Sequence, residues 1–275
     1  MHKVIKVLNN NTVLASDDTA EVIIMCKGIG FAKKANDLFE PPTNAKKYVM
    51  QRSSDNVRKS SKVIDYIDPI YLEIAAEILK ITASRFEEVD TSILLPLADH
   101  IYYAIKRMNE NIVPNNPFIY DIRLLFPDEY VIGEEAKRVI KKYVGKEINE
   151  DEIGFITLHI HAAVSSNQVA DSMEAIRIVN ESIVNLQDSL HITIDVESIS
   201  YVRLMNHIKF LILRLSKNEK LQMNISEFTK ERFPFAYEQS VKMCNALSKA
   251  LKKELPEEEV GYLALHLERI LSSIE

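Results

Sequence analysis

The sequence predicts a multidomain protein in which a small antiparallel β domain is followed by two homologous all-α helical bundles. Short apolar runs separated by turn-forming residues fill the chain up to about residue 50, whereas apolar residues recur at spacings of three and four from residue 63 onward. The helical part also matches itself when it is shifted along the chain. The first observation separates a β part from an α part, and the second divides the α part in two.

Four apolar runs with turn signals between them predict the β domain. "KVIKVL" is followed by three asparagines, "NTVLAS" by "DDT" and "EVIIMC" by "KGIGF", and a last run is found at "KYVM". Asparagine and glycine tolerate the positive φ that tight turns need. We therefore expect a small antiparallel sheet.

The next segment, "QRSSDNVRKSSK" at residues 51–62, is polar and serine-rich and has no apolar periodicity. It is typical of a linker or of the exposed start of a helix. The charge balance changes near this point: residues 1–60 hold ten Lys/Arg and six Asp/Glu, and the rest of the chain holds 24 and 34. Only the N-terminal part therefore favours a polyanionic partner.

Amphipathic stripes predict helices beyond the linker. In "TSILLPLADHIYYAIKRMNE" the apolar positions of one helical face are Leu94, Leu97, Ile101, Ala104, Ile105 and Met108. The chain has six glycines and contains neither GxxxxGK[ST] nor GxGxxG. This argues against a nucleotide-binding enzyme.

The helical part contains one domain twice. Residues 98–161, shifted by 107 positions, fall on residues 205–268 without a gap, and 16 of the 64 positions are identical. About four identities are expected between unrelated sequences of ordinary composition. The shared phrases include "FPDEY" with "FPFAY" and "EIGFITLH" with "EVGYLALH".

Four of the seven histidines fall into two pairs with the same internal spacing of 59 residues. The pairs are His100 with His159 and His207 with His266. The other three, which have no counterpart in the repeat, are His2, His161 and His191. A single histidine at the edge of an apolar helix face is usually a hydrogen-bonded packing residue, and the paired spacing weakens that interpretation here.

Two chemical roles remain for the paired histidines. Zinc binding needs short ligand spacings such as His-Glu-x-x-His, which the sequence lacks, so we predict no metal site. Phosphoryl acceptance needs a neutral imidazole at cytoplasmic pH, which an ordinary histidine supplies. Arg107 and Arg214 lie seven residues after His100 and His207, on the same helix face, where an arginine suits a phosphate or is simply a solvated surface residue.

Composition places further limits on the protein. Its hydrophobic and charged fractions of 47% and 27% are those of an ordinary globular protein. The start "MHKVIKVLNNN" lacks the apolar run of a signal peptide and no stretch approaches about 20 uninterrupted apolar residues, so we expect a cytoplasmic protein. Cys26 and Cys244 have no metal-ligand spacing and are predicted to be reduced thiols.

The motifs resemble a known family. "LADHIYYAIKR", "FPDEY" and "EIGFITLHIHAA", with "LMNHIKFLILR", "FPFAY" and "EVGYLALHLERI", resemble tandem PTS regulation domains, and "KVLNNNTVLA" and "KGIGFAKK" resemble the co-antiterminator RNA-binding domain. The whole chain is similar to the BglG/LicT family of transcriptional antiterminators, and "KGIGF" points to its glucose-type members. The resemblance implies an RNA-binding domain at 1–56, a linker at 57–62 and regulation domains at 63–169 and 170–275.

The resemblance implies that the N-terminal domain dimerises and binds an RNA hairpin that overlaps a terminator in a leader mRNA. The positions that match the RNA contacts of the family are Lys6, Asn9, Asn10, Lys27, Gly28 and Phe31. Lysines neutralise phosphates, asparagines read base edges, glycine permits close approach and an aromatic ring stacks on a base. Cys26 stands where glycine is expected, which places a side chain near the RNA surface.

The resemblance also implies that the four paired histidines accept phosphate from HPr or a sugar-specific enzyme II of the phosphotransferase system. The protein is then a substrate rather than an enzyme, and it needs no cofactor. When sugar is plentiful, the first regulation domain loses phosphate and the protein becomes active. We expect the histidines to lie at a homodimer interface and the linker at 51–62 to transmit the change to the RNA-binding sheet.

Two alternatives stay open at this point. A PTS-regulated activator that binds DNA requires a helix-turn-helix near the N-terminus, where the sequence instead predicts strands. A metal-dependent hydrolase that uses the histidines is the more distant alternative.

Overall fold

The computed structural model of the 275-residue chain describes residues 1–17, 20–49, 63–165, 169–217 and 219–273. The predicted linker at residues 57–62 lies outside the described residues. The chain divides into two compact units, one formed by residues 1–115 and 131–165 and the other by residues 116–130 and 166–275.

The N-terminal domain is an antiparallel sheet of five strands in the order β4-β1-β2-β3-β5. The strands are β1 (His2–Asn9), β2 (Thr12–Ser16), β3 (Glu21–Met25), β4 (Leu38–Phe39) and β5 (Lys46–Val49). One face carries a cluster of buried apolar side chains that includes Val13, Val22 and Ile24. The opposite face of the central strands is buried as well, at Leu14 and Ile23. The four predicted runs all form strands, and the two-residue edge strand β4 is too short to show in the apolar pattern.

The first unit continues with the helices α1 (Pro69–Ala83), α2 (Leu94–Asn109), most of α4 (Pro127–Val144) and α5 (Glu150–Val164). Asp68 caps α1 by accepting a hydrogen bond from the Ile70 amide, and Pro69 takes the first helical position, where its missing N–H costs nothing. Helix α2 packs against both α1 and α5. The predicted stripe of α2 is buried from Leu94 to Ile105, as the apolar spacing requires.

The second unit contains α3 (Ile119–Leu125), α6 (Val169–Leu190), α7 (Ile199–Lys217), α8 (Ser226–Arg232), α9 (Pro234–Leu251) and α10 (Glu257–Leu271). Helix α10 packs against α7, α8 and α9, and α3 packs against α7. Buried Asp121 of α3 accepts a hydrogen bond of 2.8 Å from the Tyr201 hydroxyl of α7. Asn180 of α6 donates a second, longer bond of 3.4 Å to the same carboxylate, so both oxygens of this buried group have a partner.

The helix bounds reproduce the internal repeat. Helices α3, α4 and α5 coincide with α8, α9 and α10 after a shift of 107 residues, with identical lengths of 7, 18 and 15 residues. The doubled "FP" places Pro127 and Pro234 at the start of α4 and α9, where proline favours a helix start. The predicted fold class, a small antiparallel domain followed by two homologous helical domains, is confirmed. Within the described ranges no helix is both long and apolar enough to span a membrane.

Candidate functional site

The structure brings the two histidines of the first repeat together. His100 lies on α2 and His159 on α5, and their ring centroids are 5.2 Å apart at an interplanar angle of 40°. The packing of α2 on α5 closes the gap of 59 residues in sequence. The ring of Phe155, one helical turn before His159, lies 5.8 Å from the ring of His100 and forms one wall of the site.

A buried glutamate completes this site, and the analysis of the sequence did not single it out. The Glu152 side chain is 1% exposed, and its Oε2 lies 3.1 Å from Nε2 of His100. Arg107 donates to the same carboxylate from Nε at 3.1 Å and from Nη2 at 2.8 and 3.0 Å. Arg107 was predicted to neutralise a phosphate, and in this structure its charge is paired with Glu152 instead. We name these four residues the first His–Glu–Arg cluster: His100, Arg107, Glu152 and His159.

The second repeat builds the same arrangement on α7 and α10. His207 and His266 have ring centroids 5.0 Å apart, and Glu259 Oε2 lies 3.2 Å from Nε2 of His207. Arg214 donates to Glu259 from Nε at 2.7 Å and from Nη2 at 2.8 Å. We name these four residues the second His–Glu–Arg cluster: His207, Arg214, Glu259 and His266.

The sequence does contain a signal for these two glutamates, which were not predicted as site residues. Glu152 and Glu259 open the doubled phrases "EIGFITLH" and "EVGYLALH", and they match under the same shift of 107 residues as the histidines. They also stand in the first turn of α5 and α10, where carboxylates are favoured by the helix dipole. The position at a helix start is thus compatible with a local role, and the contact with His100 or His207 depends on the facing helix.

Both glutamates are held in the charged form. Burial acts against ionisation of Glu152, but the interactions with His100 and Arg107 outweigh it, so the pKa of Glu152 lies below its usual value. The same balance lowers the pKa of Glu259, with His207 and Arg214 as the stabilising partners. Each cluster therefore contains a fixed negative charge between a histidine and an arginine.

The second histidine of each pair is held neutral. Burial, together with the nearby charge of His100, lowers the pKa of His159 to about 3. Burial, then the charges of His207, Arg269 and Arg203, lower the pKa of His266 to about 4. A neutral imidazole keeps a lone pair for a nucleophilic or ligand role.

The remaining histidines lie elsewhere. His161 stands two residues after His159 on α5, about 200° around the helix. His2 is at the start of β1 beside Phe39, and His191 follows the end of α6 with a positive φ of 54°. In the part of the chain that the structure describes, no group of three or more His, Cys, Asp or Glu side chains is arranged to hold a metal ion.

The residues predicted to contact RNA lie along β1 and in the two loops that follow β1 and β3. The side-chain oxygen of Asn11 accepts a hydrogen bond of 2.9 Å from the Gly28 amide, and the Asn10 carbonyl accepts one of 3.0 Å from the Gly30 amide. These bonds hold the loop of residues 27–31 against the β1–β2 turn. Asn10, Lys27 and Gly28 are exposed there, and Phe31 is 75% exposed.

Gly30 and Asn11 are structural residues of this surface that the sequence analysis missed. A Cβ on Gly30 would lie 2.1 Å from the Asn9 carbonyl oxygen, so the loop cannot approach the turn with any other residue there. Cys26, the departure from the family pattern, is half-buried and packs against the apolar cluster of the sheet. Its Sγ lies 3.6 Å from the Asn44 side-chain oxygen. The thiol therefore fills the base of the loop.

Two of the predicted RNA contacts are engaged within the first unit. Lys6 Nζ lies 3.1 Å from the Asp65 carboxylate and 3.4 Å from the Ile64 carbonyl oxygen. Asn9 Nδ2 donates a hydrogen bond of 3.0 Å to Glu73 of α1. Two predicted RNA-contacting side chains, Lys6 and Asn9, thus already donate to the acidic residues Asp65 and Glu73 near the start of the first helical bundle.

Comparison with family models identifies both kinds of domain. A model described as CAT RNA binding domain matches residues 2–56, and one described as PRD domain matches residues 72–163 and again residues 180–270. The N-terminal match covers the five strands, and the two later matches contain the two His–Glu–Arg clusters. The helix-turn-helix that a DNA-binding activator requires is replaced there by an RNA-binding domain.

Several characterised proteins are similar over nearly the whole chain. Protein GlcT of Staphylococcus saprophyticus is 32% identical over 95% of this chain and 94% of its own length. The PtsGHI operon antiterminator of Bacillus subtilis is 33% identical, with 98% and 97% covered, and the GlcA/glcB genes antiterminator of Staphylococcus carnosus is 32% identical, with 95% and 93% covered. The crystal structure of GlcT CAT-PRDI matches with a TM-score of 0.51 and 35% identity, over 59% of this chain and 98% of that one.

Proposed function

Because this chain belongs to the family of transcriptional antiterminators that join a CAT RNA binding domain to two PRD domains, we propose that phosphorylation of its paired histidines controls its binding to RNA. The protein is an RNA-binding antiterminator. The finer proposal is that it binds a hairpin in the leader mRNA of a sugar operon and prevents termination. It acts in the cytoplasm as a substrate of phosphoryl donors rather than as an enzyme.

The repetition of one His–Glu–Arg cluster in both PRD domains carries this proposal. Two imidazoles about 5 Å apart, one of them with a lowered pKa, stand beside a buried carboxylate and a paired arginine in each repeat. A neutral imidazole is a competent phosphoryl acceptor. The added phosphate brings between one and a half and two negative charges, roughly, and competes with the glutamate for the arginine.

The loops at residues 10–11 and 27–31 support the RNA-binding part of the proposal. They present an exposed lysine, an exposed amide and an exposed aromatic ring at one end of the sheet, at Lys27, Asn10 and Phe31. This combination suits phosphate neutralisation, base-edge recognition and stacking on an unpaired base. Gly28, with a φ of 75°, lets the backbone turn tightly beside the RNA.

Control requires a connection between the histidines and the RNA-binding sheet. We propose that HPr and a sugar-specific enzyme II are the donors, and that the protein acts as a homodimer in which two-fold symmetry doubles each added charge. The contacts of Lys6 with Asp65 and of Asn9 with Glu73 support a direct connection, because RNA must displace these carboxylates to reach both side chains. The first PRD domain then opposes RNA binding whenever its start is held against β1.

The principal experiment replaces His100 and His159 together, once with aspartate and once with alanine. Antitermination is measured with a reporter in cells grown without the sugar. Aspartate retains negative charge and is expected to keep the first PRD domain in its phosphorylated, inactive state, whereas alanine is expected to give activity without sugar. His161→Ala serves as the matched control on α5, and unchanged activity in both double variants would contradict the proposal.

The connection to the sheet is tested with purified protein and the leader hairpin. Glu73→Gln combined with Asp65→Asn removes the two competing carboxylates and is expected to raise RNA affinity about fivefold, which corresponds to about 1 kcal/mol. Glu77→Gln is the matched control, because Glu77 lies on the same helix but bonds Lys142 and Tyr143. An affinity equal to that of the unmodified chain would rule out competition at β1.

A further inference from the structure

The two histidines of each pair bury different ring nitrogens. Nε2 of His100 and Nε2 of His207 are enclosed, 3.1 and 3.2 Å from the carboxylates of Glu152 and Glu259. In the second members, His159 and His266, Nδ1 is the enclosed nitrogen. What separates the two kinds of histidine is the carboxylate: it lies within ion-pair distance of the first histidine, and no such ion pair is found for the second among the described residues. The same difference occurs in both repeats, so it is a shared structural feature of the two clusters.

The carboxylate determines which nitrogen of the first histidine carries the proton. An ionised carboxylate only accepts hydrogen bonds, so the nitrogen that faces it must be the one with a hydrogen. Glu152 is ionised, 1% exposed and fixed by Arg107 on its other side. In its neutral form the ring of His100 then has its lone pair on Nδ1. Because Nε2 is enclosed and the side chain is 15% exposed, Nδ1 is the nitrogen that a donor can reach.

We propose that Glu152 and Glu259 are positioning residues that direct phosphoryl transfer to Nδ1 of His100 and His207, whereas His159 and His266 accept only at Nε2. This inference rests on the proposed function, since it specifies the atom at which phosphorylation occurs. It assigns a role to two glutamates that are not among the histidines, arginines or RNA contacts predicted from the sequence.

The transfer step is balanced without any further reactant. The lone pair of Nδ1 attacks the phosphorus of a phosphohistidine or phosphocysteine on the donor protein, the new N–P bond forms, and the donor's own bond to phosphorus breaks with its electron pair returning to the donor. The accepting ring becomes an imidazolium that keeps its Nε2 hydrogen. That positive charge lies beside Glu152 or Glu259, in the way that a carboxylate stabilises a charged imidazole in a catalytic triad.

The second histidine of each pair lacks this assistance. Its enclosed Nδ1 has no carboxylate in the cluster to take up positive charge, and burial there already disfavours a cation. We therefore expect the first histidine of each pair to be phosphorylated faster and to hold its phosphate longer. The two acceptors of one cluster differ both in the nitrogen used and in rate.

The experiment incubates the full-length chain with phosphorylated HPr and, separately, with a phosphorylated sugar-specific enzyme II, and determines both the site and the isomer of each phosphohistidine. Sites are located by mass spectrometry at neutral pH, and isomers are distinguished by antibodies specific for Nδ1- or Nε2-phosphohistidine and by phosphorus–proton correlation NMR. We expect the Nδ1 isomer at His100 and His207. Glu152→Gln is expected to slow labelling of His100 at least tenfold and to leave His207 unchanged, and Glu259→Gln is expected to do the reverse.

Matched controls separate positioning from folding. Glu150→Gln and Glu257→Gln remove exposed carboxylates from the first turns of the same helices and are expected to change neither rate nor isomer. Each cluster also serves as the internal control for the other. If Glu152→Gln does not fold, as judged by circular dichroism, the isomer on His100 in the unmodified chain decides the question.

The possible outcomes are distinct. Nε2-phosphohistidine at His100 and His207, or labelling at the normal rate in both glutamine variants, overturns the inference and leaves phosphorylation control intact. An equal loss at both clusters in each single variant also overturns it, because it indicates a general structural role. Absence of phosphohistidine at all four positions with every donor overturns the proposed function itself, and the inference with it.

Discussion

The two PRD domains share one cluster and differ in what surrounds it. The distance from histidine Nε2 to glutamate Oε2 is 3.1 Å in the first and 3.2 Å in the second, and the ring centroids are 5.2 and 5.0 Å apart. The side chain of His207 is 8% exposed and that of Arg214 is 17% exposed, against 15% for His100 and 30% for Arg107. The second cluster is thus the more enclosed of the two.

The neighbours of the clusters also differ. Tyr262 stacks on His207 at an interplanar angle of 10°, where Phe155 is tilted by 57° to His100. Arg269 and Arg203 lie close enough to His266 to help lower its pKa. Helix spacing thus fixes the contact among histidine, glutamate and arginine, while the burial of the cluster and the cations near it vary between the two domains. The two copies of the cluster therefore share their contacts and differ in burial and in nearby charge.

The largest difference between the domains is expected when the buried glutamate is removed. Glu259→Ala leaves Arg214 and His207 without their counter-charge in an enclosed site and is expected to destabilise the second PRD domain by about 3 kcal/mol. Glu152→Ala is expected to cost about 2 kcal/mol, because Arg107 can turn to solvent more easily. Urea unfolding followed by circular dichroism measures both.

The control pair for this prediction is Glu150→Ala and Glu257→Ala, which remove exposed carboxylates from the same helix turns. Both are expected to lie within about 0.5 kcal/mol of the unmodified chain. If Glu152→Ala lowers the free energy of unfolding more than Glu259→Ala does, the degree of burial does not determine the cost of removing the glutamate.

The next effect is acid sensitivity from the second histidines. The folded pKa of His159, about 3, and that of His266, about 4, lie below the unfolded value of about 6.5. The unfolded chain therefore binds more protons below pH 6.5, so stability is fully present above that pH and is lost as the pH falls towards 3 or 4. At pH 5 each histidine is expected to cost about 2 kcal/mol relative to pH 7.

His159→Gln and His266→Gln test this expectation by urea unfolding at pH 7 and pH 5. Each variant is expected to lose less stability on acidification than the unmodified chain, and His191→Gln, in an exposed loop, is expected to change nothing. Below pH 4 only His159 should continue to destabilise the fold. If a variant keeps the full pH dependence of the free energy of unfolding, the substituted histidine is not the group that titrates.

The smallest expected effect concerns the starts of α5 and α10. Asn149 caps α5 by accepting a hydrogen bond of 3.1 Å from the Glu152 amide, whereas Pro256, at the N-cap position of α10, provides no side-chain cap. Asn149→Ala is expected to lower stability by about 1 kcal/mol, while Pro256→Ala has no cap to lose. Thermal unfolding of both variants measures the two losses of stability. Equal losses would show that the Asn149 cap does not help to hold Glu152 in place.

Much of the fold and part of the site followed from the sequence. The β runs, the amphipathic stripe of α2 and the repeat at 107 residues depend on local spacing, which a helix or strand converts directly into a face. The family and its RNA-binding and regulatory domains are confirmed. The domain boundaries, the assigned roles of the histidines and the six RNA contacts stay predictions, with the linker at 57–62 outside the described residues.

The repeat, the two histidine pairs and the helices that carry them follow from the order of the amino acids, because periodicity and self-similarity are properties of the chain. The contacts of Glu152 with His100 and of Glu259 with His207 arise only when two helices pack against each other. The same packing buries one ring nitrogen of each paired histidine. Tertiary packing also brings Lys6 and Asn9 against acidic side chains of the first bundle. These contacts join residues 45 to 64 positions apart, and no local spacing encodes which face of one helix meets which face of another.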